Sequence, residues 1–377
     1  MHRFTAVVTT GIYCRPGCPS QPREDNVMSF AYAAAAEAAG YRACLRCRPY
    51  RSPQGATAGS ELVCRGVRLI LSGALDGTTE SGLARRLGVS ERHLRRLFRQ
   101  EIGVTPDGLA RSSRAHFARR LLDDTDLTVT EIAYAAGFGS IRQLNRAFRG
   151  IFHATPSELR AKRRRADRLV ADGGLPLRLS YTGPLDWAGL LAGLAARAVP
   201  GVEHVDADTY RRVVVVDGDP GVLELRPGGP DWLLLTAHLP HWVALLHVVG
   251  RARQIARLDA EPGERRTPGT WEPFEAGVRA LLGGGSDPAS ACALAGRLTT
   301  RYGTPVPGLS ALGLTHAFPE PEVLARVEPA GLGLTPRQAS GVTAFARRVA
   351  AGEIPLAYPA DRAEWVLADG PVRAAAG

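Results

Sequence analysis

The chain has 377 residues, 45% of them hydrophobic and 22% charged, which excludes a disordered protein and leaves room for two to four domains. Its formal net charge of +10 is concentrated: residues 83–165 hold 18 basic and 8 acidic side chains, while residues 166–377 hold 20 basic and 23 acidic ones. Such a distribution excludes a uniformly basic surface and places a polyanion-binding function in one segment.

At the N-terminus, Cys14, Cys18, Cys44 and Cys47 form the pattern C-x3-C-x25-C-x2-C. Two close pairs joined by a short segment suit a tetrahedral site for one Zn2+, each pair gripping the metal from one turn. Disulfides are rare inside cells, so a cysteine cluster there is metal-bound or reactive. Cys64 and Cys292 stand alone and are expected to be small core residues. No targeting segment is visible, and the most apolar stretch, 232–250, is interrupted by Pro240 and carries three histidines. It reads as a strand and a helix, not a membrane span, and a cytoplasmic protein is expected.

The residues around the cysteines add more. Thr9-Thr10-Gly11-Ile12-Tyr13-Cys14-Arg15-Pro16-Gly17-Cys18-Pro19, Asn26, and Ala38-Ala39-Gly40-Tyr41-Arg42-Ala43-Cys44-Leu45-Arg46-Cys47-Arg48-Pro49 closely resemble the zinc domain of the Ada adaptive-response family. The resemblance implies a zinc held by four thiolates and a suicidal S-methyltransferase, in which Cys14 takes a methyl group irreversibly from a methylphosphotriester in DNA. A four-thiolate zinc centre is formally −2, and methylating one sulfur removes a negative charge, so repulsion from DNA falls. Arg15, Arg46 and Arg48 are candidate phosphate contacts. Family members carry a further N-terminal segment before the position of Phe4, so a trimmed domain or a shifted start is expected.

Residues 83–165 contain a repeat. Residues 83–89 align with 132–138, and Ser90, Arg92, Leu94, Phe98, Thr105 and Pro106 align fifty residues on with Ser140, Arg142, Leu144, Phe148, Thr155 and Pro156. Each copy reads as a short helix, a glycine turn and an amphipathic helix opened by a serine N-cap, a helix-turn-helix. The second helices are predicted at 91–101 and 141–152. Their polar faces carry Arg92, Arg95, Arg96 and Arg99, then Arg142, Gln143, Asn145, Arg146 and Arg149, side-chain types that read base edges or grip phosphate. The arrangement, with a joining helix near 106–122, resembles the AraC-type DNA-binding domain, whose two units enter successive major grooves. Lys162-Arg163-Arg164-Arg165 reads as a basic linker.

After Asp172-Gly173-Gly174, strands are predicted at 177–181, 210–216, 222–226 and 232–237, and helices at 186–198 and 241–258. His238, His241 and His247 have no acid or cysteine nearby in sequence, which argues against a second metal site. Tyr181, Pro184-Leu185-Asp186-Trp187, residues 195–203 and Leu258-Asp259 resemble the N-terminal domain of 3-methyladenine DNA glycosylase II. Pro268-Gly269-Thr270-Trp271, Phe274-Glu275, residues 278–283 and 294–298, and Phe318-Pro319 resemble the start of its helical domain. The turn Gly284-Gly285-Ser286-Asp287 departs from that family. The family's helix-hairpin-helix and following catalytic Asp are expected to be missing, with neither Asp361 nor Asp369 in the matching context, so no base excision is expected. No Pro-Cys-His-Arg-like run is present, and O6-methylguanine repair is not expected.

The fold class expected is multidomain α+β. A four-cysteine zinc domain covers 1–55, an all-α double helix-turn-helix 65–165, an α+β glycosylase N-terminal domain 175–262, and an incomplete all-α glycosylase domain 263–377. The expected function is a DNA alkylation sensor and transcription regulator. Its partners would be double-stranded promoter DNA and RNA polymerase, and a monomer is expected. The alternatives are a bifunctional regulator with working glycosylase, and an ordinary regulator with a structural zinc.

Overall fold

The computed structural model describes residues 4–20, 24–51, 59–71, 73–76, 78–163, 169, 174–243, 245–260, 268–283, 288–329, 331–354, 356, 366–367 and 370–371. Arg164 and Arg165 of the basic run, Asp172 and Gly173 of the linker, the turn at 284–287, Asp361 and Asp369 lie outside the described residues. The chain divides into two compact units. The first comprises Met1–Asp172, Pro176–Gly183 and His241–Gly250, and the second Gly173–Leu175, Pro184–Pro240 and Arg251–Gly377. Segments 176–183 and 241–250, placed by sequence in the third domain, thus group with the N-terminal half.

The first unit opens with strands β1 (Phe4–Val7), β2 (Ile12–Cys14) and β3 (Val27–Phe30), helix α1 (Ala33–Ala38) and strand β4 (Arg42–Ala43). The sheet order is β3-β1-β2-β4. β1 and β2 are antiparallel, and the reversal between them runs through Gly11 at φ 62°, a conformation that costs glycine little. β2 and β4 are parallel, with Tyr13 opposite Ala43, so Cys14 and Cys44 follow side by side at the strand ends. Helix α1 is an alanine run with a single acid, Glu37, and that acid is buried.

Seven helices follow: α2 (Glu61–Leu71), α3 (Glu80–Arg86), α4 (Glu91–Glu101), α5 (Pro106–Asp124), α6 (Val129–Ala135), α7 (Ile141–Phe152) and α8 (Pro156–Ala161). α4 and α7 start and stop where the sequence places them, because a serine cap fixes each start: the Oγ atoms of Ser90 and Ser140 accept the backbone N–H groups of His93 (3.3 Å) and Gln143 (3.2 Å). Thr105 and Thr155 cap α5 and α8 in the same way, each followed by a proline in the first turn. The turn glycines Gly88 and Gly137 both have positive φ. Leu94, Phe98, Leu144 and Phe148 are fully buried, as the repeat requires. Cys64, expected in a core, is instead half-buried on α2, its neighbours Val63 and Val67 taking the inward face.

Farther on, β5 (Leu175–Ser180) and α10 (Leu245–Ile255) each have residues in both units. The second unit contains α9 (Trp187–Ala195) and the antiparallel strands β6 (Glu203–Asp206), β7 (Thr209–Val216), β8 (Asp219–Gly229) and β9 (Trp232–His238), in the order β9-β8-β7-β6. β8 extends beyond the predicted 222–226, because Asp217 (φ 51°) and Gly218 (φ 88°) make a tight two-residue turn that sets Asp219 opposite Val216. The short strand β6, absent from the sequence reading, pairs with β7.

Helices α11 (Pro273–Gly283), α12 (Pro288–Tyr302), α13 (Pro321–Leu324) and α14 (Pro336–Ala350) close around Phe274, Val278, Leu282, Leu294, Leu298 and Val342. The Phe274 and Phe345 rings stack at 5.5 Å. Cys292 is buried here, as expected. Arg212, also buried, bonds Glu203 (3.3 Å) and Glu275 (2.8 Å) and lies over the Trp271 ring. No helix among the described residues is long and apolar enough to cross a membrane.

Candidate functional site

The four N-terminal cysteines converge. Cys14 ends β2, Cys18 follows the turn at Gly17, and Cys44 and Cys47 flank a turn closed by the Arg48 N–H on the Cys44 carbonyl (3.0 Å). Their sulfurs all lie within 4.8 Å of one another. A tetrahedral zinc with Zn–S near 2.3 Å needs sulfurs about 3.8 Å apart, so this donor set fits the metal. Cys14, Cys44 and Cys47 are buried, and Cys18 is half-exposed. Burial, then the neighbouring sulfurs Cys47 and Cys44, push the Cys14 thiol well up. Burial pushes Cys47 up to about 12 despite the Arg15 backbone N–H. At Cys18 burial also opposes the thiolate, but the Ser20 backbone N–H and the Cys14 and Cys47 sulfurs outweigh it and hold the pKa below the usual thiol value. Four thiolates in this pocket therefore require a cation, and four soft sulfurs select zinc over a hard ion. Among the described residues this is the one cluster of potential ligands that comes together.

The arginines expected on phosphate separate into two kinds. Arg15 and Arg46 are exposed beside the cysteines. Arg48 is turned away, 3.9 Å from the buried Asp123 of α5, so it serves an internal ion pair and not the surface. On α4, Arg92, Arg96 and Arg99 are exposed, with Arg96 bonded to His93 (3.1 Å). Arg95 is exposed as well, but it is held by the buried Glu80 of α3 and lies 3.6 Å from Glu91. Glu80 also accepts the Asp107 N–H at the start of α5 (2.9 Å). Arg95 is thus a brace between three helices. On α7, Arg142, Gln143, Arg146 and Arg149 are exposed and Asn145 is half-exposed; the Gln143 Oε1 accepts the Gly139 N–H (3.0 Å).

Beneath the cysteines lies a buried polar seam that the motifs did not reveal. The Tyr13 hydroxyl donates to Glu37 Oε1 (2.6 Å), Ser112 Oγ donates to Glu37 Oε2 (2.6 Å), and His116 Nε2 lies 2.5 Å from Glu37 Oε1. Burial pushes the Glu37 carboxyl up, but His116, Ser112 and Tyr13 outweigh it and hold the group below the ordinary carboxylate range. Farther along α5, the Tyr50 hydroxyl donates to Asp123 (2.9 Å) and Arg51 bonds Asp124 (2.7 Å). The Tyr50 ring meets Phe152 of α7 edge-on at 5.9 Å. One signal was available: Ser112, His116, Arg119 and Asp123 recur at helical spacing, a mixed polar stripe on one face of α5.

Three family models match the chain: the metal binding domain of Ada over residues 2–50, a helix-turn-helix domain over 83–162 and the AlkA N-terminal domain over 176–265. A Mycobacterium tuberculosis protein named "Probable bifunctional transcriptional activator/DNA repair enzyme AlkA" is 37% identical over 354 residues, covering 87% of this chain and 71% of that one. The chain belongs to this AlkA family. The Escherichia coli "Bifunctional transcriptional activator/DNA repair enzyme Ada" is 34% identical over 131 residues, covering 34% of this chain and 36% of that one. The E. coli "DNA-3-methyladenine glycosylase 2" is 30% identical over 203 residues, covering 48% and 70%. In this AlkA-type chain the cysteine cluster, matched by the Ada metal binding domain, binds one Zn2+.

Proposed function

We propose that this protein senses DNA alkylation by moving a methyl group from a DNA methylphosphotriester onto Cys14, and that its helix-turn-helix units carry the signal to promoter DNA and RNA polymerase. The observation that carries the reading is the convergence of four sulfurs within 4.8 Å, in the same compact unit as two capped helices with basic outer faces. The names of the M. tuberculosis and E. coli relatives, which pair transcriptional activation with DNA repair, support it.

Held by Cys14, Cys18, Cys44 and Cys47, a zinc ion would keep these sulfurs as thiolates. The Cys14 thiolate attacks the methyl carbon, a carbon–sulfur bond forms, the carbon–oxygen bond breaks, and its electron pair stays on the phosphate oxygen. A phosphodiester anion and a thioether result, and no proton moves. The centre becomes less negative by one charge, so repulsion from the DNA backbone falls and affinity rises. Arg15 and Arg46 would hold phosphate beside the centre, and Arg92, Arg96, Arg99, Arg142, Gln143, Asn145, Arg146 and Arg149 would meet the duplex.

The test is incubation with duplex carrying methylphosphotriesters, followed by tandem mass spectrometry of the tryptic peptide 4–23, which contains both Cys14 and Cys18. One added methyl on Cys14 supports the reading. A methyl on Cys18, the more exposed sulfur, reassigns the acceptor. No gain on zinc-loaded protein leaves a structural zinc.

For the C-terminal half we infer no base excision. A flipped alkylated nucleotide needs a carboxylate free to stabilise a cationic sugar. Among the described residues of the second unit, the buried acids Glu203 and Glu275 are both engaged by Arg212 and Arg279, so neither is free for that role. Release of 3-methyladenine from alkylated DNA above a protein-free blank would refute this.

A further inference from the structure

We propose that Glu37 and His116 are positioning residues for the methyl-accepting centre: acting through Tyr13, they fix the strand that carries Cys14, and they seat it on helix α5 of the DNA-binding unit. The proposal rests on the reading of Cys14 as acceptor.

Side chains alternate along a strand. Ile12 and Cys14 face the sulfur cluster, so Tyr13 between them faces the other way. That other side is closed. Tyr13 is fully buried, its ring meets Phe4 edge-on at 5.8 Å, and its hydroxyl reaches Glu37 Oε1 at 2.6 Å and His116 Nε2 at 3.3 Å. Any rotation of β2 that re-aims Cys14 must pull this hydroxyl from a buried carboxylate, which has no water to replace it.

Of the four groups in the seam, Tyr13 and Glu37 belong to the cysteine module, and Ser112 and His116 belong to α5. Of the cysteine module's described large apolar and aromatic side chains only Phe4, Tyr13, Tyr32 and Tyr50 are buried, a small core for holding the strand by packing alone. Its seat is a helix whose His116 lies 103 residues away in sequence from Tyr13. The aim of the nucleophile therefore depends on residues of the segment that binds DNA, outside the stretch that contains the cysteines.

The test uses the full chain as Tyr13→Phe, His116→Gln and Ser112→Ala, each loaded with zinc for transfer assays and with Co2+ for spectroscopy. Tyr13→Phe keeps the ring and deletes only the hydroxyl. The expected result is an unchanged metal stoichiometry, shifted thiolate-to-cobalt absorption bands, and single-turnover methyl transfer at saturating DNA slowed about tenfold or more, the order of effect of a small misplacement of a reacting atom. The DNA concentration for half-saturation should stay put. Ser112→Ala, which removes one donor to Glu37, should give the same changes at smaller size. Tyr13→Phe and His116→Gln proteins that melt earlier yet keep the wild-type cobalt spectrum and saturated rate would overturn the proposal, leaving the seam a stabiliser only. Should His116→Gln fail to fold, Tyr13→Phe decides. If wild-type protein accepts no methyl, the acceptor reading fails, and the cobalt spectra still decide whether the seam shapes the centre.

Discussion

The two helix-turn-helix repeats share one plan and use one position in opposite ways. At an offset of fifty residues, Arg92, Leu94, Arg96, Phe98 and Arg99 of α4 correspond to Arg142, Leu144, Arg146, Phe148 and Arg149 of α7. Arg95 corresponds to Asn145. Arg95 stays exposed but is ion-paired to the buried Glu80, which also holds the first turn of α5. Asn145 stays half-exposed, and among the described residues nothing ties it. A duplicated motif can therefore give one copy an ion-paired brace where the other carries an untied asparagine, a side-chain type suited to adenine edges. Both helices expose their basic faces; they differ in that Arg95 is ion-paired to the frame and Asn145 is not.

Substitutions can break this contrast. The largest effect is expected at α7: Asn145→Ala or Arg142→Ala should cost about 1–3 kcal/mol in specific binding and relax preference at one base pair. Binding to a panel of operator variants measures it, and an equal base-specific loss in Arg95→Ala would erase the distinction. Next comes Glu80→Ala. It leaves the Asp107 N–H without its acceptor and should lower stability by about 1–3 kcal/mol by denaturant titration, while base preference among folded molecules stays unchanged. Arg92→Ala and Arg149→Ala should each reduce the salt dependence of binding by about one phosphate contact, without changing which sequence is preferred. The smallest effects belong to the caps. Ser90→Ala and Ser140→Ala should each cost about 1 kcal/mol, and near-equality would show that the repeats share a frame even where their faces differ.

Helix α5, common to both repeats, gives a pH test. The Glu37 carboxyl is held below its ordinary range in the folded protein. Its contribution is full above the unfolded value, about 4.3, and is lost as pH falls from there through the lower folded value. The melting temperature of wild-type protein should fall across that acidic window more steeply than that of Glu37→Gln. Parallel curves would show that Glu37 adds nothing through its charge.

Much of this was legible in the sequence, for reasons that differ by region. The cysteine centre shows because its ligands come as two short pairs, and α4 and α7 show because serine caps and turn glycines mark their starts locally. The brace at Arg95 and the inward turn of Arg48 do not show, since a basic residue on an outer helical face or beside a metal ligand reads alike whether it meets DNA or an acid from another helix. The seam was hidden for the same reason: Glu37 and His116 stand 79 residues apart, and each looks ordinary in its own helix. In the C-terminal half, β6 is too short to show alternation, and the Asp217–Gly218 turn, which lengthens β8, is followed directly by Asp219-Pro220-Gly221, three residues of turn character inside the strand.

Helix α5 ends in two buried acids, Asp123 and Asp124, at the end of a helix where negative charge is least welcome. Arg119 of the same helix neutralises part of that charge, but Tyr50 and Arg51 from the cysteine module supply much of the rest. The DNA-binding segment is thus not a portable cassette. A gene rearrangement that joined it to a different sensory module, or an expression plasmid that began after residue 60, would strip Tyr50 and Arg51 from these carboxylates and leave Arg119 on Asp123 and Arg178 on Asp124 to hold them.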